Sequence, residues 1–221
     1  GPQVAAVVAI LGFQACKDAY QDWQRHKQDL EINGRKVHVY RGSAEVQERR
    51  WDELLVGDIV RVDVNTEIPA DLLLLSSSKE NGQCFLETAN LDGESNLKLR
   101  SSHPITVEYT TPEKLQNLKI EIDADEPLVR LYEWDGSIVM GEEEAPLTIE
   151  NFLHRGTLLR NTKYVYGLVL YTGHQTKYML NISTPRHKTS KLEGILNYCL
   201  LGIIAFLVVM CVVSAVIGVV V

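Results

Sequence analysis

Apolar and polar positions divide this chain into three parts. Every charged residue lies between Lys17 and Glu193, and both ends beyond them are uncharged and rich in Val, Ile, Leu and Ala. Residues 195–221 are long enough to form a membrane-spanning helix, since about 20 apolar residues at roughly 1.5 Å rise cross a hydrocarbon core of about 30 Å. The N-terminal apolar run, residues 4–15, is too short to cross alone and reads as the cytosolic end of a helix continuing through Arg25 to about Asp29.

Between the ends the pattern is mainly β. Short runs rich in Val, Ile, Leu or Tyr at 36–41, 58–64, 72–76, 83–87, 127–131, 137–140 and 164–171 predict strands. Asn33-Gly34, Asn81-Gly82, Asp92-Gly93 and Asp135-Gly136 are turn and hairpin signals that punctuate them. A weaker helix is expected at 112–118, and 114–144, with its acidic runs, reads as the most loop-like region. The spacing of strands and turns favours a distorted β-barrel or jelly roll. This middle is long enough for one packed core.

Charge then sets orientation and excludes a partner class. Lys17, Arg25 and Lys27 follow the first apolar run, and Arg186, Lys188 and Lys191 precede the second, so the positive-inside bias places residues 17–193 in the cytosol. The net charge is -7, with acidic concentrations at 121–126 and 142–144 that read as solvated faces. No Lys/Arg stripe with interleaved aromatics occurs away from the apolar ends, which argues against nucleic acid and leaves the flanking cations to anionic lipid headgroups. Cys16, Cys84, Cys199 and Cys211 are scattered without ligand spacing, and the six histidines form no i, i+4 pair. The cysteines read as small hydrophobes in a reducing compartment, and no metal site is expected.

Candidate chemistry concentrates in one loop, Glu87-Thr88-Ala89-Asn90-Leu91-Asp92-Gly93-Glu94-Ser95-Asn96-Leu97-Lys98. Asp-Gly supplies the positive backbone dihedrals of a tight turn, so Glu94 projects from the surface, where its carboxylate can orient and deprotonate a water. Asp-Gly pairs are most often plain surface turns, and the loop gains meaning from its surroundings.

Together with Pro69-Ala70-Asp71 and Ser76-Ser77-Ser78, this stretch resembles the actuator domain of P-type ATPases, and within them the phospholipid-translocating flippases. Further blocks carry the resemblance along the chain: Lys17-Asp18, Asp22 and Arg25-His26-Lys27; Val56-Gly57-Asp58-Ile59-Val60; Arg155-Gly156-Thr157; Leu159-Arg160-Asn161-Thr162; Tyr171-Thr172-Gly173-His174; and Thr176-Lys177. Several ordered blocks are far more specific than one tetrapeptide. Ser95 stands where flippases typically carry threonine, keeping the hydroxyl and losing a methyl.

The resemblance implies an actuator domain (30–185) between two transmembrane helices, with 1–29 the end of the second helix and its stalk and 186–221 a stalk and the third helix. It implies that Glu94 promotes hydrolysis of an aspartyl-phosphate, with Asp92 and Gly93 holding the loop and the Ser95 hydroxyl fixing its conformation. No Asp-Lys-Thr-Gly sequence and no Walker-type phosphate loop occurs, so the phosphorylated aspartate, ATP and Mg²⁺ are expected outside this chain. Expected partners are the phospholipid substrate, the phosphorylation and nucleotide-binding domains of the same protein, and a small glycosylated β-subunit, at a plasma, Golgi or endosomal membrane. Two alternatives are a regulatory flippase-like module fused to a signalling enzyme such as a nucleotide cyclase, and a cation-transporting pump of the same superfamily.

Overall fold

The computed structural model describes residues 2–40, 46–182 and 191–220. Helix α1 (Pro2–Asn33) leads into strands β1 (Lys36–Tyr40), β2 (Gln47–Arg50), β3 (Ile59–Asp63), β4 (Asp71–Ser77) and β5 (Gln83–Glu87). A single helical turn, α2 (Ala89–Asp92), precedes β6 (Leu97–Ser101), and α3 (Pro112–Gln116) precedes β7 (Glu121–Ala124), β8 (Asp135–Met140) and β9 (Glu143–Thr148). The chain continues through β10 (Phe152–Leu153), β11 (Leu158–Arg160), β12 (Tyr164–Tyr171), α4 (Lys177–Asn181) and α5 (Lys191–Val220). The mainly β expectation holds. All pairing is antiparallel, in a six-stranded sheet ordered β10-β4-β12-β3-β1-β2 and two three-stranded sheets, β11-β5-β6 and β7-β8-β9.

The Leu72-Leu73-Leu74-Leu75 run explains how the sheets pack. Strand side chains point alternately to opposite faces, so an unbroken apolar run suits a strand covered on both. Leu72 and Leu74 join one buried cluster with Cys84, Leu86 and Leu159 of the β11-β5-β6 sheet. Leu73 and Leu75 join a second with Ile138, Leu147 and Phe152, which brings the β7-β8-β9 sheet to the other face. Close approach in the centre needs a glycine: a Cβ on Gly167 of β12 would lie 2.9 Å from the Leu72 side chain.

Two expectations are corrected. Residues 127–131 form no strand, because their carbonyls are turned onto side chains instead of a neighbouring ladder. Lys177 Nζ donates to the carbonyls of Leu128, Arg130 and Glu133 at 3.3, 2.8 and 2.8 Å, and the His154 ring meets that of Leu131 at 2.6 Å. Conversely, the region 114–144, expected to be loop-like, contains β7, β8 and the start of β9. Along β7 the acidic Glu121 and Asp123 face solvent while Ile122 and Ala124 turn inward, so acidity and strand coexist by alternation.

The first helix runs four residues beyond the expected Asp29, to Asn33, where Gly34 donates to the Leu30 carbonyl at 2.9 Å. In α5, Tyr198–Ile217 is long and apolar enough to cross a membrane by length and composition. Residues 1–181 and 182–221 form separate compact units. Arg41, the expected boundary at 185/186, and Arg186 and Lys188 lie outside the described residues.

Candidate functional site

The Glu94 loop is built on Asp92. The α2 turn ends at Gly93, whose φ of 76° is left-handed and whose N–H donates to the Ala89 carbonyl at 3.1 Å. This is a glycine helix terminus, a conformation that costs a residue with a Cβ. Asp92 Oδ1 then accepts the Glu94 N–H at 2.9 Å, fixing the backbone from which the glutamate projects. Beneath it the fully buried Thr88 donates its hydroxyl to both Asp92 oxygens, at 3.0 and 3.2 Å.

Asp92 is held from the other side by two groups. Lys98 Nζ, on β6, lies 2.5 Å from Oδ2, and the Tyr132 hydroxyl, on the β7–β8 connection, donates to the same oxygen. The ammonium also reaches the Tyr132 oxygen at 2.6 Å and sits 4.2 Å from the centre of its ring. Burial alone would raise the Asp92 carboxyl, but hydrogen bonds from Lys98, Tyr132, the Glu94 amide and Thr88 outweigh it and hold it far below the ordinary carboxylate range. Lys98 is correspondingly pushed upward: burial opposes its charge, and the bonds to Asp92, Tyr132 and Glu94 prevail. Both charges are thus fixed at neutral pH.

Glu94 itself stands clear. Its side chain is 59% exposed, against 12% for Asp92, and its one ionic contact among the described residues is Lys98 Nζ, 3.2 Å from Oε2. A carboxylate mounted on a fixed backbone but open to solvent is suited to meeting a group presented by another domain. Ser95 is exposed and its hydroxyl takes no hydrogen-bond partner among the described residues, so the fixing of this loop falls to Asp92.

Three other sequence blocks converge at a second, buried hub. Asp71 accepts the backbone N–H of Arg155 at 2.8 Å and of Lys177 at 2.6 Å, joining Pro69-Ala70-Asp71, Arg155-Gly156-Thr157 and Thr176-Lys177. Burial pushes its carboxyl up to about 6 although both amides favour the anion. Lys177 is fully buried, which lowers its ammonium, yet the three carbonyls described above surround its charge. Two further blocks are tied into the sheets: Gly57 N–H donates to the Val169 carbonyl at 2.9 Å, and Arg160 Nε to Glu87 at 2.7 Å. Lys98 closes the recognisable loop and carries no role in the sequence reading. Tyr132 has no sequence signal, since it lies 40 positions from Asp92 and beside a run expected to be a strand.

Among the described residues no group of three His, Cys, Asp or Glu could hold a metal ion.

Comparison with known proteins identifies the family. Over 96% of its length the chain is 40% identical to phospholipid-transporting ATPase 6 of Arabidopsis thaliana, spanning 17% of that protein. It is 42% identical over 80% of its length to probable phospholipid-transporting ATPase 12 of the same plant, spanning 15% of it. With the human phospholipid-transporting ATPase ID it shares 38% identity over 96% of its length and 18% of the relative's. A zinc-transporting PIB-type ATPase solved in its E2.Pi state overlaps 66% of this chain and 15% of its own at 15% identity and a TM-score of 0.39, too distant a likeness to argue from. Residues 31–178 match the P-type ATPase actuator domain, and the chain belongs to that family.

Proposed function

We propose that this chain is the actuator portion of an ATP-driven phospholipid flippase, in which Glu94 promotes hydrolysis of an aspartyl-phosphate carried by another domain of the same protein. The observation that carries this reading is the exposed Glu94 carboxylate on a backbone locked by Asp92. Hydrolysis demands in-line attack by water, so positioning dominates. The water oxygen bonds to phosphorus while its proton passes to Glu94. The P–O bond to the aspartate breaks, and its electron pair stays on the departing carboxylate. General-base assistance of this kind commonly contributes about 10²- to 10⁴-fold.

The identities to phospholipid-transporting ATPases support lipid as the cargo, moved from the exoplasmic to the cytosolic leaflet. In this reading residues 17–193 are cytosolic, 1–29 end the second transmembrane helix, 30–185 are the actuator domain, and 186–221 lead into the third helix. ATP and Mg²⁺ act at the phosphorylation and nucleotide-binding domains beyond these residues, and a glycosylated accessory subunit associates on the exoplasmic side.

The test is Glu94→Gln in the intact protein. The amide keeps size and hydrogen bonding but accepts no proton, so phosphoenzyme forms from labelled ATP at the normal rate and decays about 10²-fold more slowly, roughly 2.7 kcal/mol of lost transition-state stabilisation. Decay at the wild-type rate removes Glu94 from the hydrolytic role.

A further inference from the structure

The connection between β7 and β8 has no counterpart in the chemistry assigned above, yet it reaches the Glu94 loop. Its backbone forms no sheet ladder over residues 125–134. Buried or half-buried carbonyls need partners, and here side chains from distant elements supply them. Lys177 of α4 takes the carbonyls of Leu128, Arg130 and Glu133. His154 takes that of Leu131 at 2.6 Å, Asn181 that of Val129, and Tyr171 of β12 that of Asp125. Trp134 packs 5.0 Å from Phe152 and donates its indole N–H to the Tyr171 oxygen at 3.1 Å. A segment without regular structure is thus fixed at six carbonyls, and the side chain it delivers is Tyr132.

We propose that Tyr132 is a positioning residue for the Glu94 loop: its hydroxyl, with Lys98, clamps Asp92 Oδ2 so that Oδ1 stays on the Glu94 amide. The clamp makes the β7–β8 connection the back wall of the candidate site. Tyr132 acts through Asp92 and touches no reacting atom. Lys98 alone cannot serve equally, because its ammonium is divided between Asp92 at 2.5 Å and the exposed Glu94 carboxylate at 3.2 Å. A neutral phenol on a fixed wall has no such competing partner. Removing its hydroxyl leaves Oδ2 with only the shared Lys98 ammonium and the longer, divided Thr88 contact at 3.2 Å, and frees the loop to sample other backbone states.

The inference rests on the proposed role of Glu94, and two readouts keep them separate. The first is hydrogen exchange of the 90–98 segment in the intact protein, wild type against Tyr132→Phe. Exchange at the Glu94 amide is expected to quicken about ten- to hundred-fold, the size of one lost hydrogen bond to a charged group, with the thermal unfolding temperature unchanged. Unchanged exchange overturns the proposal. The second readout is phosphoenzyme turnover. Tyr132→Phe is expected to slow decay about ten-fold without altering formation, and to add nothing in an Asp92→Asn background, as action through Asp92 requires. A further ten-fold loss in that background also overturns it. If exchange quickens in Tyr132→Phe while Glu94→Gln decays normally, the clamp stands and the hydrolytic reading of Glu94 falls. If Glu94→Gln decays slowly and Tyr132→Phe is wild type in both readouts, the clamp falls and Glu94 stands.

Discussion

Replacing His154 with glutamine turns the buried hub into a measurable pH dependence. His154 is fully buried, its ring 4.9 Å from Phe152 and 6.1 Å from Tyr132. Nε2 donates to the Leu131 carbonyl, while Nδ1 is buried without a partner among the described residues, so the imidazole is held neutral. Burial lowers its pKa from 6.5 to about 4; the Leu131 carbonyl opposes this, and the charges of Arg100, Lys177 and Lys98 add to it. The sign follows from linkage. Below 6.5 the unfolded chain binds a proton that the native state refuses until about 4, so this group contributes stability above 6.5 that is lost as pH falls toward 4. At 1.36 kcal/mol per pKa unit, the loss between pH 7 and 4.5 is about 2.5 kcal/mol. Glutamine can still donate to the Leu131 carbonyl and does not titrate. Urea unfolding followed by the fluorescence of buried Trp134 at the two pH values measures the effect as a difference between wild type and His154→Gln, which cancels the other titrating groups. A difference that changes by less than about 1 kcal/mol refutes the account of a neutral, desolvated imidazole.

Two further variants probe the same hub. Asp71→Asn should show the opposite pH trend: the native state holds a proton on Asp71 from about 6 downward, against 3.8 when unfolded, so wild type gains about 2 kcal/mol relative to the variant between pH 7 and 4 in the same urea assay. Lys177→Met removes three hydrogen bonds from a buried ammonium but also its desolvation cost; the net loss should be about 3 kcal/mol by denaturant unfolding at pH 7, and less than about 1 kcal/mol would mean that the carbonyls find other partners.

The sequence by itself determined the elements whose cause is local. Period and turn chemistry located the strands at 58–64, 72–76, 83–87 and 164–171 to within a residue or two, because alternation and Asn-Gly or Asp-Gly pairs act over a few positions. Uninterrupted apolarity located α5, and the Gly93 turn that presents Glu94 was legible because a left-handed terminus calls for glycine. Only the tertiary structure decided which side chains hold that turn. Asp92 depends on Tyr132, and Tyr132 on carbonyl partners Lys177, His154 and Asn181 that lie 23 to 52 positions from the residues they cap. Residues 127–131 carry a strand's composition and yet form none, because side-chain donors from elsewhere in the fold take their carbonyls. Hydrogen-bond satisfaction is decided by what stands nearby in space, and a one-dimensional pattern does not contain that information.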